Sequence, residues 1–448
     1  MISSVGRRRA LPVAAACALA LIMAGCGSAA TMDRASVARS AECEPYRPYQ
    51  GHDGTTVSML GPVTHLEANK LAQAWRHFVN CTGIRIDYKG SSNFEKDLQD
   101  RVDKNDLPDI ALFSQPGQMQ GFVADGKLKP ASAAVNTAAQ KGWSTDWQNY
   151  GMANGTRYAT PLGASVKSLV WYSPQAFKKR GYEVPESWDD LIALSDRIAA
   201  SGAKPWCAGI ESGAATGWPA TDWIEDVALR LAGPAVYDRW VKHEITFNDP
   251  QIVAVVDKAG TILRNPRYVN GGYAGVASIA TTSYVSAGLP LLTGKCTLHR
   301  QASFYGNQWP RGTKVAEDGD IFAFYLPPID PAKGKPVLVA GDFVAAFADR
   351  PEVEAVWAYL ASAEFAASRA PLGGWVSANK NIDLGLFTNP VDRLSAEILR
   401  DPKSVARFDA SDQMPAKVGA GSFWTGMTAW IKGQGTRATL DAIEASWP

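Results

Sequence analysis

The sequence predicts an α/β protein built as two lobes. Strand and helix patterns alternate β-α-β-α-β between residues 56 and 113, the order that folds into a parallel sheet with right-handed crossovers. A second series of apolar strands and an amphipathic helix follows residue 320. The chain has 448 residues, more than one hydrophobic core usually supports.

Taken in order, Thr56-Val57-Ser58-Met59-Leu60 reads as the first strand. Leu71, Trp75, Phe78 and Val79 fall at i, i+4, i+7 and i+8, one face of a helix. Gly83 breaks it, and Ile84-Arg85-Ile86-Asp87-Tyr88 alternates as the second strand. Ser91, Ser92 and Asn93 offer N-caps for a short helix through Leu98 and Val102. Pro108 stops it before the mostly apolar third strand, Asp109-Ile110-Ala111-Leu112-Phe113. Ligands of such sheets sit beyond the C-terminal strand ends, here Gly61-Pro62, Gly90-Ser91-Ser92 and Ser114-Gln115-Pro116. Residues 141–160 read as a connector, and 158–172 as an extended segment leading to a helix start at Ser173-Pro174. Ser187 caps the next helix, and a mostly helical region runs to about Arg311. Residues 321–326 form a strand, and 337–346 an apolar run interrupted by Gly341-Asp342. Val353, Val356, Trp357 and Leu360 mark an amphipathic helix, and Gly373-Gly374 breaks the chain before Trp375.

The N-terminus has the layout of a secretory signal peptide over residues 1–25: Arg7, Arg8 and Arg9, a short apolar core, then small residues before Cys26. The apolar core falls short of the ~20 residues of a bilayer-spanning helix. Met23-Ala24-Gly25-Cys26 resembles the bacterial lipobox, in which the cysteine becomes the lipidated first residue. Residues 26–50 then form a lipidated tether that holds the protein at a membrane without spanning it. Lys and Arg number 45 against 44 Asp and Glu, with no long basic run, so there is no electrostatic case for nucleic acid. Tryptophan, at 15 residues, equals phenylalanine and nearly doubles methionine at 8. Its flat face and N–H suit sugar rings, although most of these residues are expected to fill the core. Cys43, Cys81, Cys207 and Cys296 remain once Cys17 leaves with the leader and Cys26 takes the lipid, an even number for an oxidising compartment. Three pairings are open, and Cys43–Cys81 with Cys207–Cys296 is the expected one. There is no CxxC and the five histidines are scattered, so neither a metal nor a cofactor is expected.

Several segments, in the right order, resemble the extracellular carbohydrate-binding proteins of solute-binding family 1, which includes maltose-binding protein. They are Phe78 with Cys81-Thr82-Gly83-Ile84-Arg85-Ile86; Leu107-Pro108-Asp109-Ile110; Tyr158-Ala159-Thr160-Pro161-Leu162-Gly163-Ala164 through Trp171-Tyr172-Ser173; and Val184-Pro185-Glu186-Ser187-Trp188-Asp189-Asp190-Leu191. Gly373-Gly374-Trp375-Val376-Ser377 and the stretch from Arg407 to Pro415, continuing into Gly419-Ala420-Gly421-Ser422-Phe423-Trp424, are similar to the α-glucoside-binding branch. The resemblance implies a type II, periplasmic-binding-protein-like fold with lobe 1 at 50–162 plus 343–373 and lobe 2 at 164–340 plus 375–448. Crossings between the lobes are expected near 161–166, 340–344 and 373–377. It also implies a monomeric substrate-binding lipoprotein on the outer face of the cell membrane, delivering a mono- or oligosaccharide to ABC permease subunits.

A sugar site needs polar groups aimed at hydroxyls and aromatic faces over the ring. Ser92 and Asn93 either contact hydroxyls or cap a helix. Gln115 lies at the ligand edge. Trp218 and Asp222 stand in Thr216-Gly217-Trp218-Pro219-Ala220-Thr221-Asp222-Trp223, the stretch expected to form a sugar platform, although Asp222 also fits a helix cap. Asp342 interrupts an apolar strand, where an unpaired acid is costly; it serves as a hinge hydrogen-bonder or a ligand. Trp375, beside Gly374, is the expected stacking residue. Arg407 offers a planar fork to two hydroxyls, or pairs with Asp409 or Asp412. The competing readings are a secreted glycoside hydrolase, which needs two opposed carboxylates, and a non-transport sugar-sensing surface lipoprotein. The sequence has no GxSxG, HExxH or P-loop.

Overall fold

The computed structural model describes residues 38–270 and 274–448; the leader and Cys26 lie outside them. In chain order the strands are β1 (Thr56–Gly61), β2 (Arg85–Gly90), β3 (Ile110–Phe113), β4 (Met152–Ala153), β5 (Thr156–Arg157), β6 (Ala159–Pro161), β7 (Ser165–Val166), β8 (Leu169–Tyr172), β9 (Lys204–Trp206), β10 (Cys296–Arg300), β11 (Phe322–Tyr325), β12 (Lys335–Ala340), β13 (Phe343–Ala346) and β14 (Ser404–Phe408).

The first sheet runs β2-β1-β3-β13-β6. β1 pairs parallel with β2 and β3, as the alternating pattern requires. The late strand β13 inserts antiparallel between β3 and β6, so the sheet is mixed. The second sheet runs β11-β8-β10-β9. Its strands β9 and β10 lie in the region that reads as helical, because both are short, β9 between a long helix and a 3-10 segment and β10 between two 3-10 segments. A third sheet, β14-β12-β7, joins the two. The molecule is therefore a two-lobed α/β fold.

The chain changes sheets at two adjoining places, and a third segment lies against them. β6 passes to β7 through Leu162, Gly163 and Ala164. β12 passes to β13 through Gly341 and Asp342. Val376 bridges Ala164. Leu162 N–H donates to the Asp342 carbonyl at 2.7 Å, and Ala164 N–H to the Val376 carbonyl at 2.8 Å. A Cβ on Gly341 would lie 2.4 Å from the Gly163 carbonyl oxygen. Close backbone approach is thus a physical reason for glycine at this crossing.

Local signals decide much of the helix placement. Ser187 and Asp190 form a complete capping box at the start of Trp188–Ala200. Ser173 caps Pro174–Arg180 through the Ala176 N–H. The helical face Leu71–Val79 is split: His65–Ala74 and Arg76–Thr82 meet at Trp75, whose ψ of 8° leaves the helical range. The connector at 141–160 contains a short helix, Thr145–Asn149, and the β4–β5 hairpin.

The disulfides are Cys43–Cys81 and Cys207–Cys296, with Cα separations of 5.3 and 5.7 Å. The first ties the 3-10 segment Ala41–Tyr49 to the helix Arg76–Thr82. Tyr46 of that segment is buried edge-on against Phe78 and Tyr359. Residues 41–49 are therefore packed structure and not free tether. Among the described residues no helix is long and apolar enough to cross a membrane, and no group of His, Cys, Asp or Glu is placed to hold a metal.

Candidate functional site

Two walls meet beside the segments where the chain changes sheets. The first is built on the C-terminal ends of β1, β2 and β3. A hollow of about 410 Å³ at this edge is lined by Thr64, His65, Ala68, Gly90, Ser91 and Ser92. Asn93 stands at the N-cap position of Phe94–Asp103 without a side-chain cap bond. Ser91 secures the turn instead, donating to Asp97 at 2.6 Å and accepting from Asn93 N–H at 3.0 Å. Ser92 and Asn93 remain exposed.

Thr64-x-x-Glu67 has the spelling of a capping box, but Thr64 makes no side-chain cap bond. Glu67 has no hydrogen-bond partner among the described residues and faces the charges of Arg369, Asp342, Lys70 and Asp392; burial pushes its carboxyl up to about 7. Asp342 accepts from Ser114 Oγ at 2.6 Å, and burial raises its carboxyl as well. Gln115 is buried, and its Oε1 has no partner. Its side chain faces Asp412 and favours the charged form of that carboxyl.

The second wall carries aromatic rings. Trp218 opens the helix Trp218–Leu231. Tyr284 packs on it edge to face at 5.0 Å, and Phe304 lies tilted at 6.0 Å. All three are half-buried. Together they offer the amphipathic aromatic surface that a sugar ring needs.

Beneath Trp218 lies a buried ion network. Asp222, Glu225, Asp226 and Arg230 occur at i, i+3, i+4 and i+8 of one helix, a single face, and that face is buried. Lys167 Nζ reaches Asp222 at 2.9 Å and Asp409 at 2.6 Å, and lies 5.4 Å from the Trp218 ring centre. Arg300 bonds Asp222 at 3.1 Å and Asp226 at 2.7 Å, and Arg230 also pairs with Asp226. Burial, with the Asp409 charge, holds the Asp222 carboxyl up at about 6 even though Lys167 and Arg300 draw it down; with a cation on each oxygen it is charged at neutral pH. Burial, then the Asp409 charge, pushes Glu225 and Asp412 well above the carboxylate range. Both oxygens of Asp222 are thus taken up by cations, so in this conformation it supports Trp218 from below.

The remaining predicted residues sit at the edges. Trp375 is only 8 % exposed. It packs edge-on to Phe365 at 5.9 Å, with Arg369 5.6 Å from its ring centre, which leaves little ring face free. Gly374 N–H donates to Asp392 at 2.7 Å. The Arg407 fork is taken by Asp238, at 2.6 and 3.0 Å, and by neither Asp409 nor Asp412. Glu67, Lys167, Tyr284 and Phe304 are absent from the sequence-based set. Only Glu67 carried a local signal, and that signal reads as a cap.

These groups give stability a defined pH dependence. Burial raises Glu67 from its ordinary 4.5, and Asp392 from 3.8, to about 7. The folded protein then keeps protons that the unfolded chain has already released, so the stability these groups give at low pH is lost progressively above their ordinary values and is gone once pH has passed 7. Burial lowers His299 from 6.5 to about 4, an opposite effect confined to pH below 6.5. Calorimetry from pH 6.5 to 8 should show a falling melting temperature, with a shallower slope in Glu67→Gln. A flat or rising profile would contradict the assignment.

A family model described as bacterial extracellular solute-binding protein matches residues 67–370. The chain belongs to this family. As a family of binding proteins, its members work outside the cytoplasm by capturing solutes. This solute-binding protein is 42% identical over 399 residues to the osmoprotective compounds-binding protein GgtB of Synechocystis sp., covering 88% of this chain and 93% of the relative. It is 36% identical over 412 residues to the alpha-glucosides-binding periplasmic protein AglE of Rhizobium meliloti, covering 89% and 88%. In fold it resembles the bacterial solute receptor AcbH, with a TM-score of 0.76 at 18% identity over 88% of this chain and 98% of that one. It also resembles maltose-bound MalE3 of T. maritima, with a TM-score of 0.67 at 16% identity over 88% and 98%.

Proposed function

We propose that this solute-binding protein captures an α-glucosidic carbohydrate between its lobes and hands it to an ABC permease. The observation that carries the reading is the half-buried Trp218–Tyr284–Phe304 surface, near enough to the first wall for Glu67 to act electrostatically on Tyr284. Apolar C–H faces of a sugar stack on such rings while its hydroxyls meet carboxyl and amide groups. Ser92, Gln115, Asp342, Gly374 and Trp375 lie at the rim or the crossings and form the rest of the site as the lobes rotate. The lobes divide at 162–164, 340–343 and 373–375, and the protein acts as a monomer. The name of AglE supports the α-glucoside class.

A thermal-shift screen against maltose, trehalose, sucrose, longer α-glucans, cellobiose, xylobiose and glycerophosphodiesters tests this. A ligand at a hundred times its Kd adds about 2.7 kcal/mol. Shifts confined to α-glucosides are expected. A response to cellobiose or xylobiose alone would sink the α-glucoside class, and silence with every sugar would sink carbohydrate binding.

Cys26 in Met23-Ala24-Gly25-Cys26 anchors the mature chain by lipid to the outer face of the cell membrane. Cys26→Ser should release the protein from the membrane fraction; its retention there would refute the anchor.

A further inference from the structure

Lys70 and Asn307 connect the two lobes. Lys70 lies on the helix His65–Ala74, which follows β1 and also carries Glu67. Asn307 ends the 3-10 segment Ser303–Asn307, which follows β10 and also carries Phe304. Lys70 Nζ donates to Asn307 Oδ1 at 3.0 Å and to the Gly373 carbonyl at 2.9 Å. Asn307 Nδ2 donates to the Gly374 carbonyl at 2.8 Å. Arg369 also donates to the Gly373 carbonyl, at 3.1 Å. Gly373 and Gly374 both adopt left-handed φ, +70° and +69°, which favours glycine. A Cβ on Gly374 would fall 1.9 Å from Asn307 Oδ1, so the bare glycine is the seat of the asparagine.

We infer that Lys70, Asn307 and Gly374 form an interlobe clasp that positions the carboxyl wall against the aromatic wall and holds the lobes together before any solute arrives. The two walls are carried by the elements that the clasp joins. Glu67 is three residues from Lys70 in the sequence, and Phe304 is three from Asn307. The clasp uses a charge-assisted hydrogen bond in a half-buried place, where such a bond counts for more than it does in water. A protein whose binding-competent form is less populated binds every ligand more weakly by the same factor. The clasp therefore sets affinity without choosing between sugars. The sugar part of this inference rests on the function proposed above; the part about lobe spacing does not.

Small-angle scattering of the purified protein without ligand tests the spacing. Lys70→Met, Asn307→Ala and Gly374→Ala should each enlarge the radius of gyration relative to the parent, and Lys70→Arg should restore it. Melting curves establish that each variant is folded, and if one fails the other two carry the test. With a sugar that binds the parent, Lys70→Met should weaken affinity about ten-fold, by one factor across all bound sugars and mainly through faster release. Folded variants with scattering curves superimposable on the parent would overturn the clasp. So would a loss confined to one sugar, since that marks Lys70 as a direct ligand contact. If no sugar binds the parent, the functional reading falls while the scattering still decides the clasp.

Discussion

Replacing Lys167 by methionine is expected to cost about 3 kcal/mol of folding stability, the low end of what breaking a buried ion pair costs. Lys167 lies between the fully buried carboxylates of Asp222 and Asp409. Methionine fills a similar volume, so the loss is electrostatic and not a cavity. Asp222 keeps Arg300, and Asp409 keeps Ser411 Oγ at 2.7 Å and Asp412 N–H at 2.9 Å; these remaining bonds hold the loss to that end. The network contains five acids, Asp222, Glu225, Asp226, Asp409 and Asp412, against Lys167, Arg230 and Arg300. Removing one of three cations leaves carboxylates facing each other in a dry interior. Urea unfolding of parent and variant measures the difference. A change under about 1 kcal/mol would mean that water or proton uptake compensates the lost charge.

Trp218→Ala should weaken binding of whichever sugar the parent holds by roughly thirty-fold, about 2 kcal/mol, as expected for a buried aromatic contact at the centre of a site. Trp218→Phe should recover part of it. The tryptophan is fixed by Tyr284 and Phe304 and lies over Lys167, so its ring is already oriented and little ordering entropy is lost on binding. Isothermal titration reads the change directly. Affinity within three-fold of the parent would move the platform elsewhere, with Trp375 exposed by lobe opening as the first alternative.

Local chemistry explains which elements could be read directly. The first three strands and the capping box at Ser187 each depend on residues within a few positions of one another, so periodicity and turn residues specify them. The break at Trp75 and the short strands β9, β10 and β14 depend on what packs against them. β14 is a strand because Lys335 to Val339 lies alongside as a parallel partner. No feature of Ser404 to Phe408 alone demands it.

The candidate site divides in the same way. Trp218, Gln115 and Asp342 stand out in the sequence because an aromatic beside glycine, or a polar residue at a strand end, is locally conspicuous. Tyr284 and Phe304 are ordinary aromatics until folding sets both against Trp218. Asp222 reads as a ligand because a lone acid beside two tryptophans looks free. Its partners, Lys167 and Arg300, come from 55 and 78 residues away. Arg407 reads as free for a similar reason, while Asp238 lies 169 residues off.

The sequence by itself determined the alternating α/β order and the family, because these rest on local pattern and on segments kept in order. Only the tertiary structure decided which charges neutralise one another, which rings share a surface, and where the lobes touch. Those depend on distances between residues far apart in the chain, and no local spacing encodes them.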